Sequence, residues 1–153
     1  MKEIKLSQGG GIALIDDEDF ERVNQRKWGL SSKRYARGSI NSKMILMHRF
    51  ILNMPKNVDL DHINGNGLDN RKCNLRIATK SQNGGNRKVA KSKSGFKGAY
   101  FMNSKNRNKQ WMATIFFKGK KYHLGYYFTK EEAARAYDKA AKKFFGEFAG
   151  TNF

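Results

Sequence analysis

One short segment concentrates the side chains able to do chemistry. Val58-Asp59-Leu60-Asp61-His62-Ile63-Asn64-Gly65-Asn66 sets a carboxylate directly before an imidazole. Asn74-Leu75-Arg76 begins twelve residues after that histidine, and Asn83 lies twenty-one residues after it. An unperturbed imidazole titrates near about 6.5, so at neutral pH much of it is uncharged and able to take a proton from water. Carboxylate and amide oxygens are hard donors, suited to Mg²⁺ or Mn²⁺ rather than to zinc. Read singly, each residue has an ordinary alternative: His62 a polar residue at a strand end, Asp61 a turn residue, Asn83 a helix cap. Cys73 is the only cysteine, which excludes an internal disulfide and a cysteine-built zinc site.

The elements that must position these residues follow from periodicity. Residues 58–63 read as a strand, 64–73 as a polar loop and 74–79 as a second strand, after which Thr79 or Ser81 can cap a helix running to about residue 88. Upstream, 2–6 and 12–15 are short strands. The acidic run Asp16 to Asp19 suits the first turn of a helix carrying Phe20 and Val23. Residues 35–40 and 43–46 form a hairpin around Asn41-Ser42. Met47, Phe50, Ile51 and Met54 then make one helical stripe that Pro55 ends. The segment 84–95 is rich in Gly, Ser and Lys and reads as a solvated basic linker. Beyond Gly95 the pattern predicts strands at 96–101, 111–117 and 120–127. A helix follows from Thr129 to Phe145, with Thr129 and Glu132 as a capping box, Gly146 as the stop, and Ala133, Tyr137, Ala140 and Phe144 on its core face.

The chain carries 31 basic and 13 acidic side chains, a net charge of +18. That balance implies an extended polyanion as partner, nucleic acid or an anionic membrane surface. No apolar run approaches the roughly 18 residues needed to span a bilayer, and Met1-Lys2-Glu3-Ile4 leads into no signal pattern. A cytoplasmic nucleic-acid-binding protein, with no membrane association, is the expectation. The second half is the more one-sided, with 12 basic against 4 acidic residues in 96–153.

The Asp61-His62-Ile63-x-Gly65-Asn66 element, Asn74-Leu75-Arg76 and Asn83 together resemble the HNH family of ββα-metal nucleases, across roughly residues 44–88. The resemblance implies that His62 is the general base, Asn74 a structural residue, and Asp61 and Asn83 ligands of a divalent cation, Mg²⁺ or Mn²⁺. Many members have His where this chain has Asn83, and Asn there is similar to the phage homing-endonuclease subgroup. His48 and Arg49 match a recurrent His-Arg element of those phage proteins, which implies a supporting active-site or phosphate-contacting role; simple packing is the alternative. Arg76 reads as a phosphate contact or a surface charge. Residues 1–43 resemble the leader of phage proteins of this kind, without indicating its role.

Residues 95–153 resemble an AP2 domain in Gly95-Phe96-Lys97-Gly98-Ala99-Tyr100, Trp111-Met112-Ala113-Thr114-Ile115, His123-Leu124-Gly125-Tyr126-Tyr127, Glu131 to Asp138 and the ending Asn152-Phe153. That family's fold is a three-stranded antiparallel sheet on one helix, with the sheet entering the DNA major groove. It implies a DNA-facing set of Lys97, Tyr100, Phe116, Lys118, Lys121 and His123. Lysines and aromatics stand where plant members use arginines, so looser base specificity is expected.

The expected architecture is therefore α+β. It comprises an HNH nuclease domain over 1–88 (ββα-metal core about 58–88) with a small N-terminal α/β segment, a basic linker at 89–94, and an AP2 domain over 95–153. The expected function is cleavage of double-stranded DNA by a homing-type endonuclease, monomeric or weakly dimeric, acting in a bacterial cytoplasm if phage-encoded. A non-cleaving DNA-binding regulator is the alternative; a basic RNA-binding protein would account for the charge but not for the spacing.

Overall fold

The structure, a computed structural model, describes residues 1–7, 9–87, 92–103 and 108–153. Part of the expected linker at 89–94 lies outside the described residues. The chain divides into two compact units, Met1–Ala78 and Thr79–Phe153.

In the first unit, β1 (Lys2–Lys5) pairs antiparallel with β2 (Ile12–Ile15). The acidic run forms a 3-10 turn, Asp17–Asp19, that leads into α1 (Phe20–Asn24). Three antiparallel strands follow, β3 (Gly29–Leu30), β4 (Ala36–Ile40) and β5 (Lys43–Leu46), in that order across the sheet. β3 has two residues and so offers no alternation to read. At the β4–β5 turn, Asn41 and Ser42 both take positive φ, +47° and +61°. That geometry matches the natural twist of a two-residue hairpin. α2 (Met47–Ile51) is shorter than the stripe to Met54 suggests, because Asn53 takes φ +51° and turns the chain out of the helix before Pro55.

β6 (Leu60–His62) and β7 (Leu75–Ile77) then pair antiparallel, with Asp61 opposite Arg76 and His62 opposite Leu75. A 3-10 turn, Lys72–Asn74, takes up the first residue of the expected second strand. The unit's core is Ile4, Leu6, Ala13, Ile15, Val23, Trp28, Ala36, Met47 and Ile51. The Trp28 indole N–H donates to the Val23 carbonyl at 2.9 Å, so the largest core residue buries its polar atom satisfied.

The second unit opens with α3 (Lys80–Asn86), capped by Thr79 in a capping box with Gln82. β8 (Ala99–Phe101), β9 (Trp111–Phe117) and β10 (Lys120–Tyr127) form an antiparallel sheet in the order β10-β9-β8. β8 starts at Ala99 rather than 96, after a stretch containing positive-φ Gly95 and Gly98. α4 (Lys130–Phe145) starts at the expected Thr129–Glu132 capping box. Its buried side is Ala133, Ala134, Tyr137, Asp138, Ala141 and Phe145. That face is rotated from the expected stripe: Phe145 goes inward while half-buried Phe144 stacks on Phe117, with ring centroids 4.9 Å apart. The Asp138 carboxylate accepts from the backbone N–H groups of Asn152 (2.8 Å) and Phe153 (3.0 Å), fastening the C-terminal segment.

α3 packs within this second unit, whereas the sequence pattern groups it in one domain with β6 and β7. A Cβ on Gly85 would lie 2.6 Å from Phe145, so only glycine admits that ring, and the Gly150 N–H donates to the Gly85 carbonyl at 3.0 Å. Among the described residues no helix is long and apolar enough to cross a membrane.

Gly98 combines φ +76° with a virtual Cβ 1.9 Å from the Tyr137 ring. Gly98→Ala is therefore expected to destabilise the second unit by about 2–3 kcal/mol. Hydrogen-exchange protection of the β9 amides is the measure.

Candidate active site

The 63–74 segment joins β6 to β7 and is held by its own polar side chains. The Ile63 N–H donates to the Asn74 carbonyl at 2.9 Å, and the Asn64 N–H to Asn74 Oδ1 at 3.0 Å. Asn74 Nδ2 in turn donates to Asn64 Oδ1 (3.1 Å) and to the Asp69 carbonyl (2.8 Å). Asn74 thus ties the loop to both strands. Asp69 is 2% exposed and accepts from Asn64 Nδ2 at 2.8 Å and from both Arg71 Nε and Nη2 at 2.7 Å. The Arg71 guanidinium holds its carboxyl below the usual carboxylate range.

Asp61 and His62, neighbours on β6, are each 6% exposed. Arg76, across the strand pair, donates from Nε (3.0 Å) and Nη2 (2.9 Å) to Asp61 Oδ2. A residue expected at phosphate or at the surface therefore forms a largely buried ion pair with Asp61. The His62 ring stacks on Tyr35, centroids 5.6 Å apart, and meets the His48 ring edge to face at 5.0 Å. Its Nε2 lies 3.4 Å from Oδ1 of Asn70, which is fully buried. Burial pushes the His62 imidazole pKa down, opposed by Asn70 and by the Asp61 and Asp69 carboxylates. His48, on α2 and 5% exposed, is pushed down to about 3, by burial first and then by the charges of His62 and Arg49; its Nδ1 is buried with no hydrogen-bond partner among the described residues. Both rings are accordingly neutral at physiological pH.

Nothing in the sequence singles out Tyr35 or Asn70. Asn70 lies in a loop without periodicity, and Tyr35 meets His62 only through the tertiary fold. Arg49 donates to the Pro55 carbonyl at 2.7 Å, closing the turn after α2. Asn83 is half-buried on α3, in the second unit.

Asp61 offers a hard carboxylate oxygen of the kind Mg²⁺ takes, and the Arg76 guanidinium already engages it. Among the described residues no group of three or more His, Cys, Asp or Glu side chains forms a metal cage. A cation at Asp61 would keep most of its coordination positions for water and phosphate, which Mg²⁺ accepts and a structural zinc site does not.

In the second unit, strand register places Tyr100, Met112 and Tyr126 in one row, with Phe116 opposite Lys121 and Thr114 opposite His123. These residues alternate with Ala99, Ala113 and Ile115, which are buried in the core, and so share the sheet's other face. Tyr100 is 50% and Phe116 64% exposed, and Lys121 and His123 are exposed. Lys118 is exposed in the β9–β10 turn at φ +48°. Met112 and Tyr126 also belong to this face, and strand alternation is the signal that names them. Lys97, expected there, is instead turned inward. Its ammonium bonds to the Gly85 and Gly150 carbonyls and lies 5.6 Å from the centre of the Tyr137 ring, and burial lowers its pKa.

A family model described as HNH endonuclease matches residues 53–84. An Acanthamoeba polyphaga mimivirus protein, named as an uncharacterized HNH endonuclease, is 31% identical over 154 residues, covering 96% of this chain and 78% of that protein. Protein 3.8 of Escherichia phage T7 is 35% identical over 97 residues, 63% of this chain and 77% of that protein. No solved structure matches. The chain belongs to the HNH endonuclease family and is a nuclease.

Because the folded His48 refuses a proton that the unfolded chain accepts, stability should be full above about pH 6.5. It should fall as pH drops toward about 3, by up to ~1.4 kcal/mol per pH unit. His62 acts in the same direction. His48→Gln should flatten the change in urea midpoint between about pH 7 and about pH 5, followed by Trp28 fluorescence in a Trp111→Phe background.

Proposed function

We propose that this protein is a metal-dependent endonuclease that hydrolyses phosphodiester bonds in double-stranded DNA, probing the duplex with an AP2-type module. The observation that carries the reading is the neutral, buried His62 beside Asp61 on β6 in a chain of the HNH endonuclease family. His62 accepts a proton from the water whose oxygen attacks phosphorus, and the bond to the 3′ oxygen breaks, that oxygen taking a proton from solvent. The family resemblance gives Asp61 and Asn83 as ligands of Mg²⁺ or Mn²⁺, which when bound would supply positive charge against the phosphate. The domain limits 1–88, 89–94 and 95–153 belong to this proposal, as do homing-type activity, a monomeric or weakly dimeric state and action in the cytoplasm of a bacterial host.

For the C-terminal module, support comes from the exposed face of β8, β9 and β10. It mixes aromatics (Tyr100, Phe116, Tyr126) with Lys121 and His123, and Lys118 stands at its edge. An antiparallel sheet covered by a helix on one side leaves such a face available to a groove. Lysines there supply phosphate affinity more than base reading. The Arg76–Asp61 ion pair favours the alternative, a non-cleaving DNA-binding regulator, because the guanidinium already neutralises the carboxylate.

One assay separates the two. Supercoiled plasmid is incubated with the protein and Mg²⁺ or Mn²⁺, and wild type is compared with His62→Ala. The nuclease reading expects cleavage by wild type, a loss of about 10²–10⁴-fold in the variant, and unchanged DNA affinity. Binding without cleavage under every condition would sink it.

A second measurement addresses the module. Lys118→Ala/Lys121→Ala should weaken DNA binding across sequences and reduce the log–log salt slope by about 2. An unchanged slope would remove these lysines from the interface.

A further inference from the structure

The feature that the reaction itself leaves unexplained is Asn70. It is a fully buried asparagine, while polar side chains of its type are mostly exposed. Its side-chain orientation is fixed by chemistry. Nδ2 lies 3.1 Å from the Leu68 carbonyl, an atom that can only accept, so this end of the amide must be the N–H end. Oδ1 consequently faces His62 Nε2 at 3.4 Å. An amide oxygen has no proton to give, so the neutral imidazole must carry its proton on Nε2, and its basic lone pair is on Nδ1.

The backbone beneath Asn70 is equally constrained. Its N–H donates to the Leu14 carbonyl at 2.8 Å, and the Leu14 N–H donates to the Leu68 carbonyl at 2.8 Å. Leu14 lies in β2, whose neighbours Ala13 and Ile15 are wholly buried in the core. A continuous path therefore runs from the N-terminal hairpin through the Leu14 clamp to Asn70 and the His62 ring.

We infer that Asn70 is a positioning residue that fixes the tautomer and ring orientation of His62, and that the N-terminal hairpin β1–β2 serves the site by holding Asn70 in register. The inference rests on His62 acting as the base. It assigns to residues 1–15 a function in catalysis without contact to the reacting atoms. Tyr35 stacks on the same ring and limits its tilt, whereas Asn70 meets a ring nitrogen in a way that distinguishes the two tautomers.

The decisive measurement is long-range ¹H–¹⁵N NMR of the metal-free ¹⁵N-labelled protein at about pH 8, above the imidazole titration range. His62 signals are assigned by their absence in His62→Gln. Wild type is expected to show a solvent-protected Nε2 proton and an unprotonated Nδ1. Asn70→Leu, which keeps the backbone clamp but removes the accepting oxygen, should lose the protection of that proton. It should also cut kcat on plasmid DNA by about 10–100-fold with DNA affinity unchanged.

A wild-type His62 protonated on Nδ1 overturns the inference whether or not any variant folds. So does Asn70→Leu with both the protected proton and full cleavage retained. The spectrum and the cleavage assay fail independently. Full cleavage by His62→Ala would overturn the role of His62, and with it the catalytic part of this inference, while leaving the tautomer itself to the spectrum.

Discussion

Polar side chains that a loop turns into the interior of a small unit must find hydrogen bonds there, and the geometry of the first unit depends on that constraint. Asp69, Asn70 and Asn74 are almost wholly excluded from solvent. Each unpaired polar atom there would cost about 1–3 kcal/mol. The loop meets the demand with amides, the Arg71 guanidinium and the main chain of β2, leaving few alternative arrangements. Asp61 and His62 sit on the strand this loop closes, so their separation and exposure are set by packing several residues away.

Charge is handled differently in the two units. In the first, carboxylates are engaged by neighbouring cations: Asp61 by Arg76, Asp69 by Arg71, Asp19 by Arg22 and Lys72, and Glu18 by Lys72. The buried Arg76–Asp61 pair matters most, because breaking such a pair leaves an uncompensated charge in a poorly solvated place. Any cation drawn to Asp61 competes with a guanidinium already present.

The second unit uses close packing to expose a face. Gly98 and Gly85 bring Tyr137 and Phe145 against the backbone, and small alanines on α4 let the helix lie near the sheet. With the apolar demand met on that side, Tyr100, Phe116 and Tyr126 remain on the other, beside Lys121 and His123. Tyr100 and Phe116 are exposed there and Tyr126 is half-buried, so apolar surface and positive charge share one side of the sheet. Lys97 shows the limit of reading such a face from type alone, since two backbone carbonyls draw its ammonium inward.

The local rules written into residue types are legible in the sequence alone. Thr129 with Glu132 caps α4, Thr79 caps α3, Asn41-Ser42 turns a hairpin, and the Asp61-His62, Asn74 and Asn83 spacing points to the family. These depend on short-range sterics and hydrogen bonds, or on a pattern of chemistry that the chain must carry in order. Contacts between residues distant in sequence depend on the tertiary fold. The packing of Tyr35 and His48 on His62, the Arg76 pair with Asp61, and the seating of α3 on Phe145 each join elements whose relative placement no periodicity encodes. Asn70 is the clearest case. As a sequence letter it is one more polar loop residue, and it becomes a hydrogen-bond partner of the His62 ring only because Leu14, far earlier in the chain, pins its backbone.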